Sequence, residues 1–219
     1  MALYIDSAFL NDIMHVTQTV PVAGITTNPS ILLAARERGQ EASPQALLDT
    51  LLHETNGLIF MQPGASVEEE MLAEALAYIE AAPKRVIPKI PMTHTGIRVA
   101  RQLKQKQHRL AFTAVSSVAQ AYNAAMVRAD FVIPYYGRLE RAGINASQRI
   151  TEMAKLLQTA QPMTRILVAS IKSPIDAANA LLAGAHDLTV TPDVLMEMVT
   201  DPLTEDAVEK FNHDWQQLY

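Results

Sequence analysis

The amino-acid sequence predicts a single-domain α/β fold, a (β/α)8 barrel of eight parallel strands with an additional helix at its C-terminal end. Three observations predict it. Short apolar runs alternate with amphipathic stretches eight times along 219 residues, the pattern of strands that return through helices and pair in parallel. No low-complexity segment or linker interrupts the alternation, so residues 1–219 read as one domain. The first run also lacks the G-x-G-x-x-G turn of a doubly wound open sheet, the alternative for such alternation.

Each unit can be justified in turn. L-Y-I-D-S (3–7) is strand-like, and F-L-N-D-I-M-H-V (9–16) has helical spacing. G-I-T-T-N-P-S (24–30) leads into I-L-L-A-A-R-E-R, a helix that Asn28 or Ser30 can cap, with Pro29 suited to its first turn. L-I-F-M-Q (58–62) precedes P-G-A-S and a helix over 67–82 whose E-E-E start complements the helix dipole. R-V-I-P-K-I-P (85–91) is followed by G-I-R-V-A-R-Q-L-K-Q-K, and R-L-A-F-T-A-V (109–115) by S-S-V-A-Q-A-Y-N-A-A-M-V. D-F-V-I-P-Y-Y-G (130–137) pairs with a helix over 145–160, and R-I-L-V-A-S-I-K (165–172) with P-I-D-A-A-N-A-L-L-A-G-A. D-L-T-V-T (187–191) enters P-D-V-L-M-E-M-V-T, and a last helix over 204–219 closes the chain. In that helix Phe211, Trp215 and Leu218 form an apolar stripe, expected either to reach a neighbouring subunit or to pack on its own barrel.

Composition narrows the function. Apolar residues make up 49% of the chain, charged residues 19%, and the net charge is −5. Lys and Arg are scattered, and the densest basic stretch, R-Q-L-K-Q-K-Q-H-R (101–109), reads as a solvated helix face, so no nucleic-acid partner is expected. There is no cysteine, which excludes disulfides, thiol nucleophiles and thiolate metal sites. No secretion signal and no membrane span are apparent, and the default expectation is a cytoplasmic protein. The six histidines show no i, i+4 pair, so neither a metal nor any other cofactor is expected.

In a barrel of this kind the active site lies at the C-terminal ends of the strands. The runs end there in Asp6, in Thr26 and Asn28, in Gln62, Lys89, Thr113, Tyr135 and Ser170, and in Thr189 or Thr191. Caps and returning backbone polarity explain some of these singly. The acid, the amide and the lysine converging on one mouth are harder to explain so. Lys89 stands between Pro88 and Pro91 among strand formers, and lysine is almost never buried without a partner or a task. Desolvation there would lower its pKa, leaving a neutral amine able to condense with a ketone or aldehyde. Tyr135, Thr113 and Gln62 could hold a water or shuttle protons directly, and Asp6 could orient substrate hydroxyls. Lys172 and Arg138 suit an anionic group such as a phosphate, although a solvated turn explains Lys172 equally well.

With these residues in place the sequence resembles the transaldolase family, in particular its small fructose-6-phosphate aldolase-like members. The resemblance rests on L-Y-I-D, G-I-T-T-N-P-S, V-I-P-K-I-P, F-T-A-V, I-P-Y-Y-G-R, V-A-S-I-K and F-N-H-D-W, in that order along almost the whole chain. It implies class I, metal-free aldol chemistry on a TIM barrel, with Lys89 as the Schiff-base lysine. Asp6 then assists proton and substrate handling, and Asn28 binds the donor's hydroxyls. Thr113 stands beside a catalytic water, while Arg138 and Ser170 receive the phosphate end. Gln62 with Tyr135, where true transaldolases carry glutamate and phenylalanine, resembles the aldolase arrangement. The implied reaction cleaves or forms a ketose phosphate such as fructose 6-phosphate, with dihydroxyacetone as donor and glyceraldehyde 3-phosphate as acceptor. Transfer of a dihydroxyacetone unit between sugar phosphates is the alternative, and a non-catalytic sugar-phosphate binder a third. The family also implies a homo-oligomer, a pentamer or decamer. Pro63, Phe112, Ile133 and Ser116 depart from its pattern, with Ile133 expected to narrow the donor pocket.

Overall fold

A computed structural model describes residues 1–40, 43–159 and 164–218. In chain order the elements are β1 (Ala2–Asp6), α1 (Leu10–Thr17), β2 (Gly24–Thr26), α2 (Pro29–Glu37), α3 (Pro44–Glu54), β3 (Leu58–Met61) and α4 (Glu68–Ala81). There follow β4 (Val86–Pro91), α5 (His94–Gln105), β5 (Ala111–Val115), α6 (Val118–Met126), β6 (Phe131–Pro134), α7 (Tyr136–Arg141) and α8 (Ala146–Leu157). The chain ends with β7 (Arg165–Val168), α9 (Pro174–Leu182), β8 (Asp187–Val190), α10 (Pro192–Glu197) and α11 (Pro202–Gln216). The eight strands pair in parallel and in sequence order, and β8 closes on β1 through pairs such as Ile5 with Val190. The expected (β/α)8 barrel is therefore present.

The two-residue period of a strand sorts the core into two shells. Tyr4, Phe60, Ile87, Ala111, Phe131, Ile133, Leu167 and Ala169 form a cluster inside the ring. Phe60 stacks edge-on against Tyr4 and Phe131, with centroids 5.3 and 5.2 Å away, filling the axis with well-packed rings. The alternate residues, among them Ile5, Ile59, Ile90, Phe112, Val132 and Val168, face outward and join the larger core under the helices. Phe112 thus supports the helical layer rather than the barrel interior.

Local chemistry differs from expectation in three places. The segment after α2 folds as a further helix, α3, capped by Ser43 with Pro44 in its first turn. The sixth run stops being a strand at Pro134, and Tyr136 already opens α7. The seventh stops at Val168; beyond it only Ala169 bridges to Tyr135, and Ser170 turns to a left-handed φ of 60°. Both runs look extended because apolar residues continue past the last ladder bond, while the chain must leave the ring to start a helix. The helix expected over 145–160 ends at Leu157, and residue 160, like residue 219 of the last helix, lies outside the described residues.

No residue of α11 is buried; Phe211 is 65% exposed and Leu218, just past the helix, 72% exposed. Among the described residues no helix is long and apolar enough to cross a membrane.

At the N-terminal mouth Asp187, fully buried at the start of β8, accepts from Arg165 Nε and Nη2 at 2.8 and 2.6 Å and from the Ala2 amide at 2.7 Å. One carboxylate therefore ties β1, β7 and β8 together where the barrel closes. Removing one partner of a buried pair leaves the other uncompensated. Asp187→Ala is expected to lower the free energy of unfolding by about 3 kcal/mol, read as an earlier midpoint at unchanged slope in urea denaturation.

Candidate active site

β4 alternates Ile87 into the barrel, Lys89 into the barrel and Ile90 out to the helices, which is why a charged residue sits in an apolar strand. Lys89 is 1% exposed, and its Nζ donates to the Thr27 carbonyl at 2.8 Å. Burial is the main cause that lowers its pKa, to about 8; the Asp6 carboxylate works against that and the Arg138 guanidinium with it. A substantial neutral fraction near physiological pH follows.

The amine opens on a cavity of about 240 Å³ at the C-terminal mouth. Asp6, Asn28, Lys89, Tyr135, Arg138, Ser170 and Lys172 all line it, so most of the residues chosen from sequence meet in one place. Thr26 and Thr113 stand behind the wall. Thr26, fully buried, donates to Asp6 Oδ1 at 2.6 Å and lies 2.6 Å from the Thr189 hydroxyl. Because the Thr26 proton is committed to Asp6, Thr189 is the donor to Thr26, and the chain of hydroxyls holds the carboxylate in one orientation. Thr113 and the Tyr135 phenol share a 2.6 Å hydrogen bond. Burial raises the Tyr135 pKa, outweighing the Thr113 bond and Arg138, which lower it. The phenol is therefore protonated and able to donate at neutral pH. The β5–β6 register shifts between Thr113 and Val115, where Ala114 takes a φ of 57°, and such irregularities re-aim side chains beside active sites.

Asn28 caps α2, its Oδ1 accepting from the amides of Ser30 and Ile31 at 2.9 and 3.1 Å. Between Asn28 and Ser30, the two candidates, Asn28 is thus the cap. The cap consumes the acceptor and leaves the Nδ2 group, at the cavity wall, as a donor for a substrate oxygen. Opposite, the Arg138 guanidinium lies over the Tyr135 ring, 4.5 Å from its centroid. Among the described residues Arg138 and Lys172 make no ion pair, so two cations face the cavity uncompensated beside Ser170. Gly137 makes their proximity possible: a β-carbon there would stand 2.9 Å from the Ser170 carbonyl and 3.2 Å from Lys172 Cγ.

Gln62 is the exception. It follows β3, is partly buried and does not line the cavity. Ile133 is buried in the inner cluster and is not part of the wall either. Sequence reasoning missed Ser30, Ile31 and Ala34, which present one face of α2 to the cavity, and the Thr27 carbonyl that holds the amine. The i, i+4 spacing of Ser30 and Ala34 could have signalled the first; a backbone acceptor has no sequence signal. Thr191 occupies the cap position of α10 without bonding to it, and lines the cavity instead. Among the described residues no group of His, Cys, Asp or Glu could hold a metal ion.

A family model described as transaldolase/fructose-6-phosphate aldolase matches residues 3–219. Among solved structures, an inosine 5′-monophosphate dehydrogenase from Legionella pneumophila is similar with a TM-score of 0.61 and 14% identity, over 89% of this chain and 59% of that one. At that identity the likeness concerns the barrel fold alone, and this chain spans about 59% of the length of that enzyme.

The shifted lysine has consequences in both directions of pH. Reductive alkylation at position 89, followed by peptide mass, should titrate with a midpoint near 8. Asp6→Asn, which removes the charge that favours the ammonium, should move that midpoint down, and Arg138→Leu should move it up. For stability, the folded pKa lies below the unfolded one, so the unfolded chain binds more protons between the two values and stability rises with pH there. Below pH 8 the buried ammonium is a standing penalty of about 3 kcal/mol. Lys89→Met is accordingly expected to be more stable than the unaltered chain at pH 7 in urea unfolding, with the difference shrinking as pH approaches 10.5.

Proposed function

The chain belongs to the transaldolase/fructose-6-phosphate aldolase family, and on that premise we propose that it is a class I aldolase in which Lys89 forms a Schiff base with a dihydroxyacetone-type ketone. The observation that carries this reading is the buried Lys89 amine, with a pKa lowered to about 8, on the wall of a cavity that also holds a carboxylate, a phenol and two cations.

The neutral amine attacks the ketone carbon of a ketose phosphate, and loss of water from the carbinolamine leaves an iminium. The iminium draws electrons as the carbon–carbon bond breaks, the hydroxyl proton of the departing fragment passing to a base. An aldose phosphate such as glyceraldehyde 3-phosphate leaves, and the remaining enamine is protonated to the dihydroxyacetone iminium. Water hydrolyses it and frees Lys89. The Tyr135–Thr113 pair supplies the hydroxyls that hold and move protons, directly or through a water, and a positioned acid–base of this kind contributes about 10²–10⁴ in rate. Asp6 supports the cation while Thr26 fixes its orientation. Asn28 Nδ2 holds a donor hydroxyl. Arg138, Ser170 and Lys172 take the phosphate, for which uncompensated cations beside a hydroxyl are suited.

The Tyr135 phenol on the cavity wall favours cleavage over transfer, and Tyr135 bears this assignment more directly than Gln62, which lies off the cavity. Transfer of the three-carbon unit to an aldose phosphate is the second reading, supported by the family's joint description. The exposed Phe211 on α11 and Leu218 just past it support a homo-oligomer in which that end of the chain reaches a second copy, and a cytoplasmic location accords with the chemistry.

Borohydride with dihydroxyacetone is expected to trap a covalent adduct on Lys89, visible by intact mass and absent in Lys89→Ala; an unmodified chain would sink the proposal. Tyr135→Phe should keep the trap but lose about 10²–10⁴ of the cleavage rate, measured as release of glyceraldehyde 3-phosphate from fructose 6-phosphate. Product formation only when a second aldose phosphate is present would assign transfer instead.

A further inference from the structure

The opposite, N-terminal mouth of the barrel holds a second cavity, of about 380 Å³, lined by Lys104, Arg109, Arg128 and Arg165 together with Asp130 and Phe131. It shares no residue with the cavity around Lys89. Four cations meet there in a chain whose net charge is −5, so the concentration of positive charge is local.

Two of the four are neutralised. Lys104 Nζ lies 2.8 Å from Asp130 Oδ2, an oxygen that also accepts the Leu110 amide at 3.0 Å. Arg165 gives Nε and Nη2 to Asp187 and keeps Nη1 uncommitted. The other two are not. Arg109 makes one hydrogen bond, from Nη2 to the Lys84 carbonyl at 2.5 Å, which orients the guanidinium without cancelling its charge. The Arg128 side chain makes no hydrogen bond or ion pair among the described residues; only its backbone amide is bonded, to the Ala125 carbonyl at 2.8 Å. It sits just past α6 at a left-handed φ of 62°, a position where helices usually end on glycine. A side chain that has no intramolecular partner among the described residues, on a residue standing where glycine would be easier, has no evident structural task.

We propose that this mouth is a binding site for a small multivalent oxyanion, a phosphate group or phosphate monoester, held by Arg109 and Arg128 with the free edge of Arg165. Guanidinium forks match phosphate oxygens in pairs, and Phe131 at the cavity floor excludes water from one side. The Asp130 charge is paired with Lys104 through Oδ2, the oxygen that also accepts the Leu110 amide, which leaves the two arginines as the excess charge of the cavity. The site is independent of the lysine chemistry and stands whether or not Lys89 forms an imine.

The test must separate this site from the phosphate-suited cations at the other mouth. Calorimetric titration with inorganic phosphate and with pyrophosphate, against sodium chloride at matched ionic strength, is run on the full chain carrying Arg138→Ala and Lys172→Ala. Saturable binding is expected to persist there. Adding Arg109→Gln and Arg128→Gly should weaken it at least about tenfold, while borohydride trapping at Lys89 in the otherwise unaltered chain carrying only these two changes stays as it was. Glycine at 128 suits the backbone conformation, so loss of folding is not a route to the same result, and Arg128→Gly alone gives a second reading. Loss of all saturable binding in the Arg138→Ala/Lys172→Ala chain would overturn the proposal, as would equal effects of chloride and phosphate or undiminished binding after Arg109 and Arg128 are replaced.

Discussion

The structure is organised around a lysine kept out of water inside a closed ring of strands. A charged ammonium at 1% exposure would be a liability in any core, and here it is tolerated because the backbone of Thr27 offers an acceptor and because the group can shed its proton. The ring supplies the dryness. Phe60 and its aromatic neighbours seal the axis below, and the strands close without an edge through which water could enter. The lowered pKa of the amine and the packing of the barrel are consequences of the same burial.

Around that amine, polar groups are divided by depth. Thr26 and Thr113 are buried behind the wall and bond to the groups that face the cavity, whereas Asp6, Asn28, Tyr135 and the buried Thr189 reach it. The inner threonines spend their hydrogen bonds on orientation: one directs the carboxylate, another the phenol. Asn28 works similarly through its cap, since bonding the helix end turns the amide donor toward the cavity. The cap thus uses one end of the side chain and leaves the other at the cavity wall.

The two mouths of the barrel use charge differently. At the C-terminal mouth, Arg138 and Lys172 are spaced by the tight approach of Gly137 to Ser170, and the strained φ of Ser170 is the kind of backbone cost that folds retain at functional sites. At the N-terminal mouth, Asp187 and Asp130 anchor Arg165 and Lys104 and thereby join adjacent strands and helices. Cations in excess of these acids remain at both ends, one set beside Lys89 and the other at the opposite mouth.

Much of the fold and most of the site are legible in the sequence. Eight alternations of apolar run and amphipathic helix are dictated by local composition, and the period of two carries Asp6, Lys89, Thr113 and Tyr135 to the same face of their strands as Tyr4, Ile87, Ala111 and Ile133. Features set by closure are not legible there. Strands six and seven end early because the chain must leave the ring, and α7 begins inside the sixth run, whose residues look extended in sequence. Gln62 is chemically as plausible as Tyr135, yet only the position of the chain after β3 keeps it from the cavity wall. Sequence by itself determined the fold class and singled out Lys89, because both follow from local patterning and from the energetic oddity of a lysine among strand formers. Tertiary structure alone decided which hydroxyls bond to which groups and how far the lysine is desolvated, since those depend on distances between strands that are remote in the chain and meet only when the barrel closes.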